Sequence, residues 1–271
     1  MTKINEFAGE LVGTFILVFF GCGSVAAAVL FNAFSGLFQV AAVWGVGVTL
    51  AIYATRHLSC AHLNPAVSLA MVVGGRMRAA KLPRYLAGQF VGAFLAAAVL
   101  YLLFRDSFGA FEAAHGLVRG AAGSEKTAMC FGEFFPNPGF AGMPVSLLTA
   151  CLAEAVGTFI LVTLIFSLTD GCNLGRPDDA LAPLFIGLTV TALICLLAPL
   201  TQAGFNPARD LAPRLFAALA GWGRAAFPEP LHGFFTIYVL SPCIGGVGAA
   251  LLFTRGLQPL MDRKKNGCDC C

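Results

Sequence analysis

Long apolar blocks separated by short polar breaks run along this chain of 271 residues. A helix needs about 20 apolar residues to cross a hydrocarbon core of roughly 30 Å. Six blocks meet that length, at approximately 7–30, 37–56, 85–104, 147–169, 181–200 and 233–254. Two further apolar stretches, from Asn64 to about Val73 and from Asn206 to about Leu219, are too short to cross at about 1.5 Å per residue. Each opens with Asn-Pro-Ala: Asn64, Pro65, Ala66 and Asn206, Pro207, Ala208. Asn is a favoured helix N-cap and Pro a favoured first helical residue. The pattern predicts an all-α membrane protein with six transmembrane helices and two half-spanning helices.

The two short helices belong to an internal repeat. "FAGELVGTFILV" (Phe7–Val18) matches "CLAEAVGTFILV" (Cys151–Val162), aligning Glu10 with Glu154. From each Glu to the following Asn-Pro-Ala asparagine is 54 residues in the first copy and 52 in the second. The chain divides into a first repeat at 1–104, a connection at 105–146, a second repeat at 147–255 and a tail at 256–271. Three spans per copy force the copies into opposite topology, related by an axis lying in the membrane plane.

In that inverted arrangement the half-helices enter from opposite faces and their N-termini meet near the midplane. Each end carries roughly +0.5 of an elementary charge, so the meeting point repels cations. The amide nitrogens of Asn64 and Asn206 are expected to be donors facing a lumen. The irregular backbone before each helix is tolerated only where it lines a wet cavity. It is expected to supply carbonyls from Cys60, Ala61, His62 and Leu63 in one copy and Gln202, Ala203, Gly204 and Phe205 in the other. His62 also reads as a polar wall residue. Glu10 and Glu154 read as structural buried acids, each accepting hydrogen bonds from its own copy's loop. Central donors and wall acceptors suit a neutral hydrogen-bonding solute, and suit a proton or metal cation badly.

Composition agrees with a membrane protein: 58% of residues are hydrophobic, 11% are charged and the mean hydropathy is +0.81. The basic residues set an orientation. Lys3, Arg76, Arg78, Lys81, Arg84, Arg176, Arg255, Arg263, Lys264 and Lys265 fall on one side, which the positive-inside rule makes cytoplasmic, together with both termini. The 105–146 connection has no basic excess and reads as an external cover for the mouth of a channel. "MTKINEFAGELVGTFILVFF" does not read as a cleavable signal peptide. Six of the ten cysteines lie in or beside spans and loops, where thiols behave as small apolar groups. Cys130 lies in the external connection without a disulfide partner there, and the tail ends in "CDCC", Cys268–Cys271. No cofactor, metal cluster, catalytic nucleophile or nucleic-acid patch is expected.

The duplicated Asn-Pro-Ala boxes, the Glu-x-x-Gly-Thr-Phe starts and the six spans resemble the major intrinsic protein family, the aquaporins and glycerol facilitators, from about residue 5 to 255. The resemblance implies the aquaporin fold and a homotetramer of independently conducting channels in a cell (inner) membrane. It places a selectivity filter at Trp44, Ile194, Ala203 and Arg209. "GFNPARDLAPRLFAALAGWG" is similar to the glycerol facilitators in its Asp210 and Arg214. The set Trp, Ile, Ala, Arg resembles the nodulin-26-like branch, and Tyr238 resembles water channels.

Glycerol and related polyols, with some water, are therefore the expected cargo. The alternatives are a water-selective channel, or a nodulin-26-like channel for urea, ammonia or neutral metalloid acids. A gradient-driven secondary transporter using Glu10 or Glu154 would share the inverted repeat and broken helices. No reading makes the chain an enzyme.

Overall fold

A computed structural model of the chain describes residues 3–140, 142–227 and 231–261. Six long helices carry apolar windows able to cross a membrane. The first copy contributes α1 (Lys3–Phe31), α2 (Leu37–Ser59), the half-helix α3 (Pro65–Val73) and α4 (Leu82–Ala114). A short turn of helix, α5 (Glu125–Ala128), lies in the connection. The second copy contributes α6 (Leu147–Thr169), α7 (Ala182–Thr201), the half-helix α8 (Pro207–Ala217), α9 (Leu231–Phe235) and α10 (Ser241–Leu252). Wide-turned π segments at Thr236–Leu240 and Phe253–Leu257 make α10 part of one span, Gly233–Met261.

The packing repeats with the sequence. In the first copy α1 packs on α2 and α4, and in the second α6 packs on α7 and α10. The half-helices cross between copies, α3 lying against α10 and α8 against α4. At the centre α2 crosses α7 through Gly45 and Gly187, where an added Cβ would stand 2.5 Å from Gly187 O and 2.3 Å from Gly45 O respectively. Only glycine permits that approach. The outward faces leave Val46, Leu102, Leu148, Leu196 and Ile244 exposed, the surface that lipid tails cover.

Two boundaries differ from expectation. The third span does not stop at 104: α4 runs to Ala114, because Phe108 and Glu112 keep one helix face buried under the connection. There the Phe108 ring meets Phe131 and Trp222, and Glu112 takes hydrogen bonds from Arg119 and Thr127. The sixth span continues past 255 to Met261, with Phe253 buried against Phe166, so residues 256–261 are helix rather than tail. Arg263, Lys264, Lys265 and the Cys268–Cys271 cluster lie outside the described residues.

Candidate functional site: a cavity through the inverted repeat

A cavity of about 440 Å³ runs between the two copies, and each loop before a half-helix forms part of its wall. The loops are built alike. Cys60, Ala61 and Leu63 have positive φ (71°, 49° and 55°), as do the matching Gln202, Ala203 and Phe205 (62°, 63° and 53°). Left-handed backbone at non-glycine residues costs on the order of 1–3 kcal/mol each and persists only where the surroundings hold it.

Here the holders are the two buried acids. Glu10 Oε1 accepts from His62 N at 2.9 Å and Oε2 from Leu63 N at 2.7 Å; Glu154 Oε1 accepts from Gly204 N at 2.9 Å and Oε2 from Phe205 N at 2.7 Å. A hydroxyl completes each set. Ser59 Oγ donates to Glu10 and accepts from Ala61 N, as Thr201 Oγ1 donates to Glu154 and accepts from Ala203 N. Tyr85 and Tyr238 then donate their hydroxyls to Ser59 O and Thr201 O. Turning the amides onto the carboxylates keeps them from competing for the loop carbonyls.

The asparagines join the copies at the centre. Asn64 Oδ1 caps α3 through Ala66 N at 2.8 Å, and Asn206 Oδ1 caps α8 through Ala208 N at 3.1 Å and Arg209 N at 3.2 Å. Pro65 and Pro207 follow as first helical residues. The amide nitrogens are less free than the sequence suggested. Asn64 Nδ2 donates to Phe205 O and Asn206 Nδ2 to Leu63 O, each at 2.8 Å. Because an amide has two hydrogens, each asparagine keeps one for the cavity, and the Leu63 and Phe205 carbonyls are already engaged.

Trp44, Cys60, Ala61, His62, Leu63, Asn64, Ile194, Ala203, Gly204, Phe205, Asn206 and Arg209 all line the cavity. All four of the positions read as a filter are therefore in the lining, with the Arg209 guanidinium carbon 4.1 Å from the Trp44 ring centroid. His62 Nδ1 lies 3.2 Å from Ser68 Oγ. The rest of the wall is aliphatic, including Leu17, Val48, Leu161 and Val190. Donors and acceptors thus share the lining with a larger set of apolar side chains.

Of the residues expected to line the wall Gln202 stands outside it, as do Asp210, Arg214 and Tyr238, which the sequence marks as subclass residues rather than wall residues. Gln202 turns away, accepting from Phe134 N at 2.8 Å and donating to Met129 O at 3.3 Å, because its carboxamide satisfies the backbone of the connection. Asp210 and Arg214 pair with each other, Nε to Oδ2 at 3.1 Å and Nη2 to Oδ1 at 2.5 Å. Tyr238 is a fully buried latch on Thr201 O, the counterpart of Tyr85.

Sequence reasoning missed the hydroxyl pair Ser59 and Thr201, the latch Tyr85, the buried Gln89 and above all Glu133. Aligning the copies through their asparagines would have paired Ser59 with Thr201, each five residues before its Asn. Glu133 lies in "CFGEFF", a lone acid among apolar residues of the connection, and it forms an ion pair with Arg209.

Residues 1–253 match the family described as major intrinsic protein. The glycerol uptake facilitator protein of Pseudomonas aeruginosa is 41% identical over 253 residues, covering 92% of this chain and 88% of that protein. The propanediol uptake facilitator of Salmonella typhimurium is 38% identical over 245 residues, 90% of each chain. In three dimensions the chain is similar to the aquaglyceroporin from Plasmodium falciparum, with a TM-score of 0.82 at 26% identity over 97% of this chain and 100% of that one.

Proposed function

The chain belongs to the major intrinsic protein family, and we propose that it is a passive channel for glycerol and related small polyols, with some water. The observation that carries the reading is the mixed lining of the cavity: His62, Arg209, Asn64 and Asn206, the last two with a spare amide hydrogen each, share it with Trp44, Val48, Ile194 and other apolar side chains. A polyol sets its hydroxyls on the polar groups and its carbons on the apolar ones, so a desolvated solute recovers its hydrogen bonds. Trp44, Ile194, Ala203 and Arg209 serve as the filter, and the paired half-helix N-termini oppose cations.

The same reading places both termini in the cytoplasm, from the distribution of basic residues, and assembles the protein as a homotetramer in a cell (inner) membrane. It assigns no catalytic step. A second solute class is supported by Ile194 and Ala203: with Trp44 as the filter's one aromatic, urea or neutral metalloid acids also fit.

Stopped-flow light scattering of proteoliposomes under opposing osmotic gradients tests the function. The expected result is glycerol entry well above protein-free vesicles and indifferent to an imposed proton gradient. Rapid water flow without glycerol entry would replace the polyol reading with a water channel. Gradient-driven uptake would make it a transporter.

A further inference from the structure

We propose that a groove between α4 and the outer end of α8 binds one anionic phospholipid, with an acyl chain in the groove and the phosphate on Arg105. The groove has a volume of about 380 Å³. Phe94, Ala98, Tyr101 and Leu102 of α4 form one wall, and Phe216 of α8 and Leu219 of the turn after it form the other. The walls touch where Phe94 and Phe216 meet edge to face, ring centroids 5.5 Å apart. Elsewhere they stay open: Leu102 is 71% and Leu219 80% exposed.

Charge along α4 sets the depth of the groove in the bilayer. Residues 85–104 carry no charged side chain, with Arg84 before them and Arg105 after them. A helical run of that length rises about 30 Å, the thickness of the hydrocarbon core. The two arginines therefore mark its two faces. Positions 94–102 fall between the midplane and the face at Arg105, which is the depth of one leaflet's acyl chains.

Arg105 continues the face that lines the groove. At about 100° per residue it stands in line with Phe94, Ala98, Tyr101 and Leu102, one turn nearer the headgroups. It is exposed, and among the described residues it has no hydrogen-bond or ion-pair partner. An added Cβ at Gly109, one turn further on, would meet nothing within 4 Å, so the face stays open beyond it. The neighbouring charges do not compete. Glu112 is taken by Arg119 and Thr127, Arg119 also donates to the Tyr101 hydroxyl at 2.8 Å, and Asp106 stands about 100° round the helix. An arginine with its stem on an apolar face and its head at the interface is placed to meet a phosphate, whose geometry suits the guanidinium. A zwitterionic headgroup would bring its own ammonium beside that charge, whereas an anionic one brings the phosphate alone.

The test measures the Kd of the first bound lipid by native mass spectrometry of the full-length protein in detergent, with dioleoyl phosphatidylglycerol and dioleoyl phosphatidylcholine as probes. Wild type is expected to prefer phosphatidylglycerol. Arg105→Gln should weaken phosphatidylglycerol about fivefold and leave phosphatidylcholine unchanged, the effect of about 1 kcal/mol for one basic side chain at an anionic surface. Ala98→Trp fills the groove and should weaken both lipids, whereas Arg78→Gln, which removes an exposed arginine outside the groove, should weaken neither. Phosphatidylglycerol binding that survives Arg105→Gln or Ala98→Trp overturns the inference, as does an equal loss in Arg78→Gln, which would mean surface charge alone. A changed oligomer size in Ala98→Trp with lipid binding intact would assign the groove to a second copy and overturn it too. If Ala98→Trp does not fold, fluorescence carries the test through Trp222, whose ring centroid lies 5.9 Å from that of Tyr101. In Trp44→Phe protein, where Trp222 is the remaining tryptophan, phosphatidylglycerol brominated on its chains must quench more than brominated phosphatidylcholine. That difference must vanish when Arg105→Gln is added, and its persistence overturns the site. The site is independent of the solute conducted, so a channel that passes water alone would leave it standing.

Discussion

The two ends of the cavity share a scaffold and differ in what surrounds it. Around the first loop, the Glu10 carboxylate leads to neutral groups: Gln89 Nε2 donates to Glu10 at 2.6 Å and to Ser68 Oγ at 2.9 Å, and Ser68 meets His62. Around the second, the matching carboxylate of Glu154 lies among Glu133, Arg209, Asp210 and Arg214, all buried. The proposed filter positions have counterparts in the other copy. Trp44, Ile194, Ala203 and Arg209 correspond to Ile186, Ile52, Ala61 and Val67, which also line the cavity. Ile and Ala are common to both rings, and the difference is one aromatic and one charge. A scaffold that holds its left-handed loop residues through carboxylates, hydroxyls and helix carbonyls leaves a half-helix side chain such as Val67 or Arg209 outside those bonds, free to differ between the copies.

The largest effect should come from attacking what the ends share. Glu10→Ala or Glu154→Ala leaves two buried amides and a hydroxyl without an acceptor, at about 1–3 kcal/mol per group. Both variants are expected to lose about 4 kcal/mol or more, read as loss of monodisperse protein and a collapsed Tm in detergent. Retention of wild-type stability by one variant and not the other would break the equivalence of the two loops.

A smaller effect should separate the rings. Ile194→His with Ala203→Phe narrows the ring that contains Trp44 and Arg209, and is expected to cut glycerol flux about tenfold more than water flux. The same pair in the mirror ring, Ile52→His with Ala61→Phe, narrows a ring without the arginine or the tryptophan, so both fluxes should fall together. Equal ratios in the two double variants would remove the filter assignment.

The fold was readable because its determinants are local in sequence. Apolar length marks the spans, Asn-Pro-Ala marks a capped half-helix, and "VGTFILV" in both copies reveals the inversion. The acids Glu10 and Glu154 were readable for the same reason, each tied to its own copy. What was not readable depends on contacts between distant segments. The side chain of Gln202 bonds to the connection, the amide of Asn64 binds a carbonyl 141 residues away, and Glu133 of the connection pairs with Arg209 of a half-helix in the second copy. None of these has a periodicity or a spacing that marks it. Tyr238 shows the opposite hazard, since a residue type associated with water channels occupies a position outside the cavity wall.

The smallest expected effect concerns that residue. Tyr85 and Tyr238 are both buried, and each donates its hydroxyl to the carbonyl of the hydroxyl-bearing residue five positions before the asparagine. If both are latches, Tyr85→Phe and Tyr238→Phe each remove one interhelical hydrogen bond and no volume, a loss of about 0.6 kcal/mol within a membrane protein. Paired thermal denaturation in detergent should then give two small and similar shifts, with the glycerol-to-water ratio unchanged in both variants. A ratio that moves in Tyr238→Phe alone would mean that its hydroxyl acts on the filter through Thr201 and Ala203. The position would then discriminate solutes without touching them, and the asymmetry between the two ends would extend into the layer that holds the loops.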